Sequence, residues 1–448
     1  MYRLLKKLHI SPYLAVALSF FLVILLGSFI LWIPWAYQNR EMPQFIDAFF
    51  TAASAVCVTG LNVYSSLVDT FSVFGKVVIA LLIQLGGLGF ITIFAFTITL
   101  FGRRISVLDR YLLKRAFSVG QNANILRFIR QMVIISLIIE AIGSIPFMIV
   151  FIPQYGFWTG VGKSIFQAIS SFNNAGFDLI GDSSLMPYYG NYIVTLNTIM
   201  LVFLGGIGFL VIGDILKTKR IRNWSIITKI SLLMSFILTF GGALLVFLLD
   251  EGGISFYHAL FQSVVARTAG FYTVQISGLT TGARGILLLL MFIGASPLST
   301  GGGTKTSTWF VILITGWSFI RGKKAQAFKR SFSQKNFIQA TTLVFFAFMA
   351  IMIGVLVVNR LEQNNPSNDI YATYGLSAVV FECFSAFGTV GTSFGITPYL
   401  STGSKIVLCT LMFFGRVGPM TLISSVSESM NREEKLHYAN IEADVIVG

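Results

Sequence analysis

Uninterrupted apolar runs at residues 13–35, 133–152, 191–211 and 337–358 alternate along the chain with short polar segments rich in Lys and Arg. Each run reaches the ~20 residues that a helix needs to cross ~30 Å of hydrocarbon at 1.5 Å per residue, so the pattern predicts membrane-spanning helices. Between the basic segments such stretches come in pairs, each leaving one side of the bilayer and returning to it. Four pairs make eight spans. Within every pair lies a third amphipathic stretch of ~12 residues, at 45–57, 161–173, 256–267 and 373–387. These are too short to cross and read as re-entrant helices.

A glycine-containing segment follows each short stretch: Val58-Thr59-Gly60-Leu61, Asn174-Ala175-Gly176-Phe177, Thr268-Ala269-Gly270-Phe271 and Thr389-Val390-Gly391-Thr392. Aligning these glycines brings the rest into register. A bulky apolar residue stands ten positions earlier (Phe50, Phe166, Leu260, Phe381), and the second span carries a glycine cluster: Gly86-Gly87-Leu88-Gly89, Gly205-Gly206-Ile207-Gly208, Gly294-Ala295 and Gly415-Arg416-Val417-Gly418. Parallel repeats, unlike the opposed halves of inverted-repeat transporters, surround an axis along the membrane normal. The expected fold is an all-α polytopic membrane protein: four membrane-pore-membrane repeats, eight spans plus four re-entrant pore helices, around a pseudo-four-fold axis. The repeats are placed at 1–101, 102–216, 217–320 and 321–430, with a cytoplasmic tail at 431–448.

Composition narrows the class. The chain is 55% hydrophobic and 11% charged, against roughly 25% charge in soluble domains, which excludes an ordinary soluble protein. A net charge of +14 raises nucleic acid as a partner, but twenty-three of the 32 Lys and Arg fall in residues 1–10, 102–130, 217–229, 320–335 and 431–448. That distribution marks cytoplasmic segments, so no nucleic-acid partner is expected and both termini are placed in the cytoplasm. The basic N-terminus precedes an apolar run longer than a signal peptide's core and is read as a retained first span. Cys57, Cys383 and Cys409 lie in apolar stretches without metal-ligand spacing and read as packing thiols.

Non-helical backbone at membrane depth is tolerated only where protein buries it or where it lines a watery cavity. Four short segments meeting on an axis meet that condition, and their carbonyls can replace the hydration shell of a monovalent cation. Val58, Thr59, Gly60, Asn174, Ala175, Gly176, Thr268, Ala269, Gly270, Thr389, Val390 and Gly391 are thus the candidate selectivity filter. The short helices end towards it, and their negative C-terminal dipoles favour a cation. Arg267, just before the third segment, is either a structural donor that holds carbonyls or a charge facing the ion path. Glu382 and Gln167 on the short helices read as braces for their segments.

Residues 294–307 carry a Pro, three consecutive glycines and, after the Pro, five hydroxyls, so no continuous helix survives there. The stretch reads as a flexible loop beneath the filter that obstructs the pathway, centred on Gly301, Gly302, Gly303, Thr304 and Lys305, or else as a plain kink. Arg416, in the fourth second span, is either a gate latch near that loop or one half of a salt bridge with Glu140 or Glu382. The other glycine clusters read as scaffold for close helix approach. Thr304 between Gly303 and Lys305 breaks the phosphate-loop pattern, and no catalytic His, Ser or carboxylate constellation is present. An enzyme is not expected, nor a cofactor in this chain. A secondary transporter working by alternating access is the rival reading.

With these residues in hand, the chain resembles the Trk/Ktr/HKT superfamily of potassium transporters over nearly its whole length, and looks closest to the bacterial Ktr membrane subunits. The most specific parts are 45–60, 166–177, 258–271 and 381–395. The resemblance implies potassium uptake stimulated by sodium through a filter with one glycine per unit (Gly60, Gly176, Gly270, Gly391), gated by 294–307 with Arg416. Gly60, where some relatives have serine, favours potassium over sodium. The resemblance further implies a homodimer in the cell membrane on a cytosolic ring of RCK/KTN-type nucleotide-binding subunits. The basic loops fit that ring or anionic membrane lipid equally.

Overall fold

The computed structural model describes residues 12–89, 125–218, 220–251, 253–363, 365 and 369–418. The tail at 431–448, the basic segment 1–10 and most of the basic segment 102–130 lie outside the described residues. The rest is almost wholly helical, as the apolar runs predict. The first unit comprises α1 (Pro12–Trp32), α2 (Phe45–Val56) and α3 (Val73–Leu88). The second has α4 (Ile125–Tyr155), α5 (Phe157–Phe172), α6 (Tyr192–Ile207) and α7 (Phe209–Lys217). The third has α8 (Ile226–Leu249), α9 (Phe256–Val265), α10 (Thr281–Ile293) and α11 (Thr306–Ile320), followed by a hairpin of β1 (Gln326–Ala327) and β2 (Arg330–Ser331). The fourth has α12 (Gln334–Glu362), α13 (Asp369–Gly388) and α14 (Thr402–Val417).

Short polar residues set the helix starts. The hydroxyls of Ser72, Ser225, Ser255, Thr280, Ser333 and Ser401 each accept a free N–H from the first turn of the helix that follows, which satisfies one of the orphan donors there. Glycines set several of the ends. Among the described residues three helices are long and apolar enough to cross a bilayer, Phe128–Tyr155, Ile226–Leu249 and Gln334–Glu362, the first spans of the second, third and fourth units.

The second spans correct the sequence reading. α3, α6 and α14 have 16 residues and α10 has 13. All four stop on a glycine of positive φ: Gly89 at 81°, Gly208 at 95°, Gly294 at 64° and Gly418 at 89°. A residue with a Cβ avoids that conformation and glycine adopts it freely, so the glycine clusters break the spans rather than merely easing their packing. The sequence led to a break in the third unit alone and to one continuous span over 191–211. Instead α6 and α7 meet at Gly208 with a bend of 91°. The fourth re-entrant helix also starts later than 373, because α13 is kinked at Gly375 (φ 51°, ψ −134°).

Packing runs in a closed circle. The second span of each unit lies against the re-entrant helix of the next: α3 on α5, α6 on α9, α10 on α13 and α14 on α2. Polar ties repeat the circle. Gln84 of α3 and Asn173, at the end of α5, both donate to Glu140 (3.0 and 2.9 Å), Thr195 of α6 meets Tyr257 of α9 at 2.6 Å, and Lys405 of α14 pairs with Asp47 of α2 at 2.7 Å. Phe50, Phe166 and Phe381 fill the core, whereas Leu260 is half-buried and its neighbour Phe261 takes the buried place.

Within the circle, Gly86, Gly205 and Gly415 stand against the carbonyls of Val56, Phe172 and Phe387 at the ends of re-entrant helices of their own units, and a Cβ on any of them would come within 3.0 Å of that backbone. Gly86→Ala, Gly205→Ala and Gly415→Ala are each predicted to cost roughly 1–3 kcal/mol, as overpacking does. Gly241→Ala, on α8 with nothing within 4 Å of its Cβ, should leave stability unchanged or raise it by up to about 1 kcal/mol. Thermal unfolding midpoints of the purified variants in detergent check both.

Candidate functional site

Three re-entrant helices end in the same way. After α2 the N–H of Thr59 donates to Ser54 O and that of Val58 to Ala55 O; Ala175 and Asn174 repeat this after α5, and Val390 and Thr389 after α13. This pairing turns the chain sharply and satisfies carbonyls that would otherwise be orphaned. It puts Val58 (φ 50°), Asn174 (58°) and Thr389 (49°) in the left-handed region, a true outlier for β-branched Val and Thr. Such strain persists only where surrounding contacts over-determine it, and it clusters at functional sites. The third unit differs: Thr268 and Ala269 both donate to Val265 O, and Thr268 is not left-handed.

The four glycines then meet. Added to Gly60, a Cβ would strike the carbonyl of Ala175; on Gly176, that of Ala269; on Gly270, that of Val390; and on Gly391, that of Thr59, each within 3.0 Å. Every glycine therefore faces the carbonyl just before the glycine of the next unit, and the fourth closes on the first. Only glycine, at φ of 94°, 73°, 65° and 94°, allows so tight a ring of backbone. Thr59, Thr389 and Thr392 bring buried hydroxyls that have no protein partner.

On one side of the ring lies a cavity of about 270 Å3 lined by all four glycines and by Asp178 and Asp182. Sequence reasoning missed these two carboxylates; Asp178 directly after Gly176-Phe177 was the available signal. On the other side lies the broken stretch of the third unit. Gly301 and Gly302 approach Thr268 and Thr389 so closely that a Cβ would clash with either. Ser296 N–H donates to Gly206 O (3.0 Å), Thr300 N–H to Gly205 O (3.2 Å) and Phe209 N–H to Leu298 O (2.8 Å). Thr300 Oγ1 donates to Phe172 O at 3.0 Å and lies 2.9 Å from the Asn174 side-chain amide. Lys305 Nζ folds back onto Gly301 O (2.8 Å) and Gly302 O (3.4 Å), and Thr304 Oγ1 donates to Phe292 O. The stretch is thus a loop packed beneath the ring, not a kink.

Arg416 takes the position that glycine holds in Gly87 and Gly206. Its guanidinium donates to the carbonyls of Thr300 and Gly86 and, at 3.0 Å, of Gly87, tying the loop to the first and fourth units. The salt bridge considered from sequence does not form: Glu140 accepts from Gln84 and Asn173, and Glu382 from Ser393 (3.1 Å) and Thr397. The Glu382 carboxylate so holds the chain just after Gly391. Gln167 reaches Ser171 at 3.5 Å. Arg267 turns away from the ring to α8, where it meets Ser235 O at 3.4 Å and Thr239 Oγ1 at 3.3 Å.

Residues 11–437 match the family model described as TrkH: Cation transport protein. The chain belongs to this family. The TrkH family transports cations and is not a family of enzymes. Among relatives, the chain is 34% identical to the potassium/sodium uptake protein NtpJ of Enterococcus hirae over 98% of both chains. It is 36% identical to the Ktr system potassium uptake protein B of Bacillus subtilis over 95% of both. The crystal structure of the potassium transporter TrkH from Vibrio parahaemolyticus shares the fold, with a TM-score of 0.68 at 20% identity over 92% of this chain and 84% of that one.

In this TrkH-family chain the Arg416 bonds are one hold on the loop that a single substitution can release. A charge-assisted hydrogen bond contributes about 1.5–3 kcal/mol, so Arg416→Gln should speed amide hydrogen exchange at Ser296 and Thr300 by about tenfold or more. Exchange in α12 should not change. Hydrogen–deuterium exchange with mass spectrometry on the purified chain measures both.

Proposed function

We propose that this chain takes up potassium across the cytoplasmic membrane, conducting the ion through the ring of Gly60, Gly176, Gly270 and Gly391. The closed circle of four glycines, each against the carbonyl that precedes the next, is the observation that carries this reading. It supplies what a dehydrated cation needs: backbone oxygens from all four units on one axis, with no side chain in the way. Asp178 and Asp182 at one mouth concentrate cations electrostatically, and the C-terminal ends of four helices at the other add partial negative charge. The names of the relatives, uptake proteins for potassium or for potassium and sodium, support the choice of ion.

The loop at 294–307 is the gate in this reading, with Gly301 to Lys305 beneath the ring and Arg416 as its latch. Its glycines permit movement, and its bonds to the second unit and to Arg416 hold it across the path. Sodium acts as a stimulant of uptake. Three of the relatives are named as components of a Ktr system, which supports a separate regulatory subunit, here a cytosolic nucleotide-binding ring of RCK/KTN type beneath a homodimer. Both termini then face the cytoplasm, consistent with the basic segments.

Reconstituted in liposomes with a potassium gradient, the chain should accumulate tracer rubidium, and external potassium should compete. Gly391→Asp, which forces a carboxylate into the ring, should abolish potassium-competed uptake. Uptake by that variant equal to the unmodified chain would refute the filter. Where the unmodified chain is silent alone, adding the cytosolic subunit should restore uptake to it and not to Gly391→Asp.

A further inference from the structure

Where α6 turns through 91° into α7, the chain leaves the direction of crossing, and the basic segment that follows fits a position at the cytoplasmic face of the membrane. α7 and the residues after it carry exposed apolar side chains: Leu216 is 67% exposed, and Ile221 just beyond the helix 65%. A short helix with an apolar side and a basic end lies in the interface, among lipid headgroups and the first acyl carbons. Together with the N-terminal ends of α4 and α8 it encloses a groove of about 370 Å3. Met132 and Ile135 of α4, Leu210 and Leu216 of α7, and Ile227 of α8 form its apolar walls.

The other end of the groove is cationic. Lys217 lines it, and the connection from α7 to α8, two of its three walls, bears exposed Arg220 and Arg222. Lys229 braces that connection by donating to Arg222 O at 2.9 Å, and Trp224 does so by donating to Thr218 O at 2.7 Å. One acidic group lines the groove, Asp214, and its carboxylate is occupied: Ser225 N–H donates to it at 2.8 Å and Thr228 Oγ1 at 2.7 Å. A slot that is apolar within, with Lys217 in its lining and Arg220 and Arg222 on the adjoining connection, matches an amphiphile with an acyl chain and an anionic head. A soluble anion would leave the apolar walls unused, and an acidic protein surface needs no enclosed apolar slot.

We propose that this groove is a binding site for an anionic phospholipid, with an acyl chain between α4, α7 and α8 and the phosphate at Lys217, Arg220 and Arg222. The site bears directly on the loop beneath the ring, because Phe209, the first residue of α7, donates to Leu298 O at 2.8 Å. A lipid that fixes α7 therefore steadies that loop. This last link rests on the reading of the loop as a gate; the lipid site itself does not.

The test titrates the delipidated full chain in detergent with phosphatidylglycerol or phosphatidylethanolamine and reads bound lipid by native mass spectrometry. The unmodified chain should prefer phosphatidylglycerol. The triple variant Lys217→Gln, Arg220→Gln, Arg222→Gln should bind it about a hundredfold more weakly, since each basic residue near a membrane surface contributes about fivefold. Gly213→Leu, at a position in the groove with nothing within 4 Å of its Cβ, should fill the slot and weaken binding while every charge remains. Both variants should elute and melt as the unmodified chain does. Phosphatidylglycerol affinity that survives either variant overturns the proposal, and survival in Gly213→Leu alone places the lipid headgroup on the basic residues with no acyl chain in the groove.

Discussion

Backbone N–H and C=O groups that leave a helix at membrane depth must find protein or water, because hydrocarbon offers them nothing. The architecture of this chain follows from that constraint. Each unit breaks its helical backbone twice at depth, once after the re-entrant helix and once at the glycine that ends the second span. The first breaks are satisfied by the turn at Val58, Asn174 and Thr389 and by the mutual approach of four glycine segments. The second are satisfied by one another: Gly205 and Gly206 accept from the loop of the third unit, and Gly86 and Gly87 accept from Arg416. No unit can do this alone, which is why the four close into a circle.

Charge is placed under the same rule. Arg416 has no carboxylate partner among the described residues; three carbonyls from two other units hold it instead. A cation supported only by neutral carbonyls beneath the ring of glycines is released when those carbonyls move, whereas a buried ion pair is much harder to separate. Arg267 is held similarly by neutral acceptors, but on α8 and facing away from the ring. The two arginines, similar in sequence setting, thus serve different ends: one couples units, the other secures the segment of the third unit that lacks the left-handed turn.

Much of this was legible in the chain. Apolar run length gave the first spans, the recurring glycine gave the register, and the register gave the circle, because periodic hydrophobicity and internal repetition survive in one dimension. The family resemblance was carried by the same residues. What was not legible depended on three-dimensional partners. The last glycine of these clusters reads alike whether it packs or breaks a helix, and only its positive φ at Gly89, Gly208 and Gly418 tells the two apart. Likewise Glu140 and Glu382 were plausible partners for Arg416 by charge, yet amides and hydroxyls close at hand already occupied them. Asp178 and Asp182 escaped notice because they occur in one unit and so lie outside the repeat pattern.

The central claim is that the four glycine segments form a cation path on the axis. Crystals of the chain grown with rubidium in place of potassium, and examined for anomalous scattering, address it most directly. The account predicts rubidium on the axis, coordinated by carbonyl oxygens of all four segments around Gly60, Gly176, Gly270 and Gly391. Rubidium bound elsewhere in the membrane body, with the axis between those glycines empty, would contradict it.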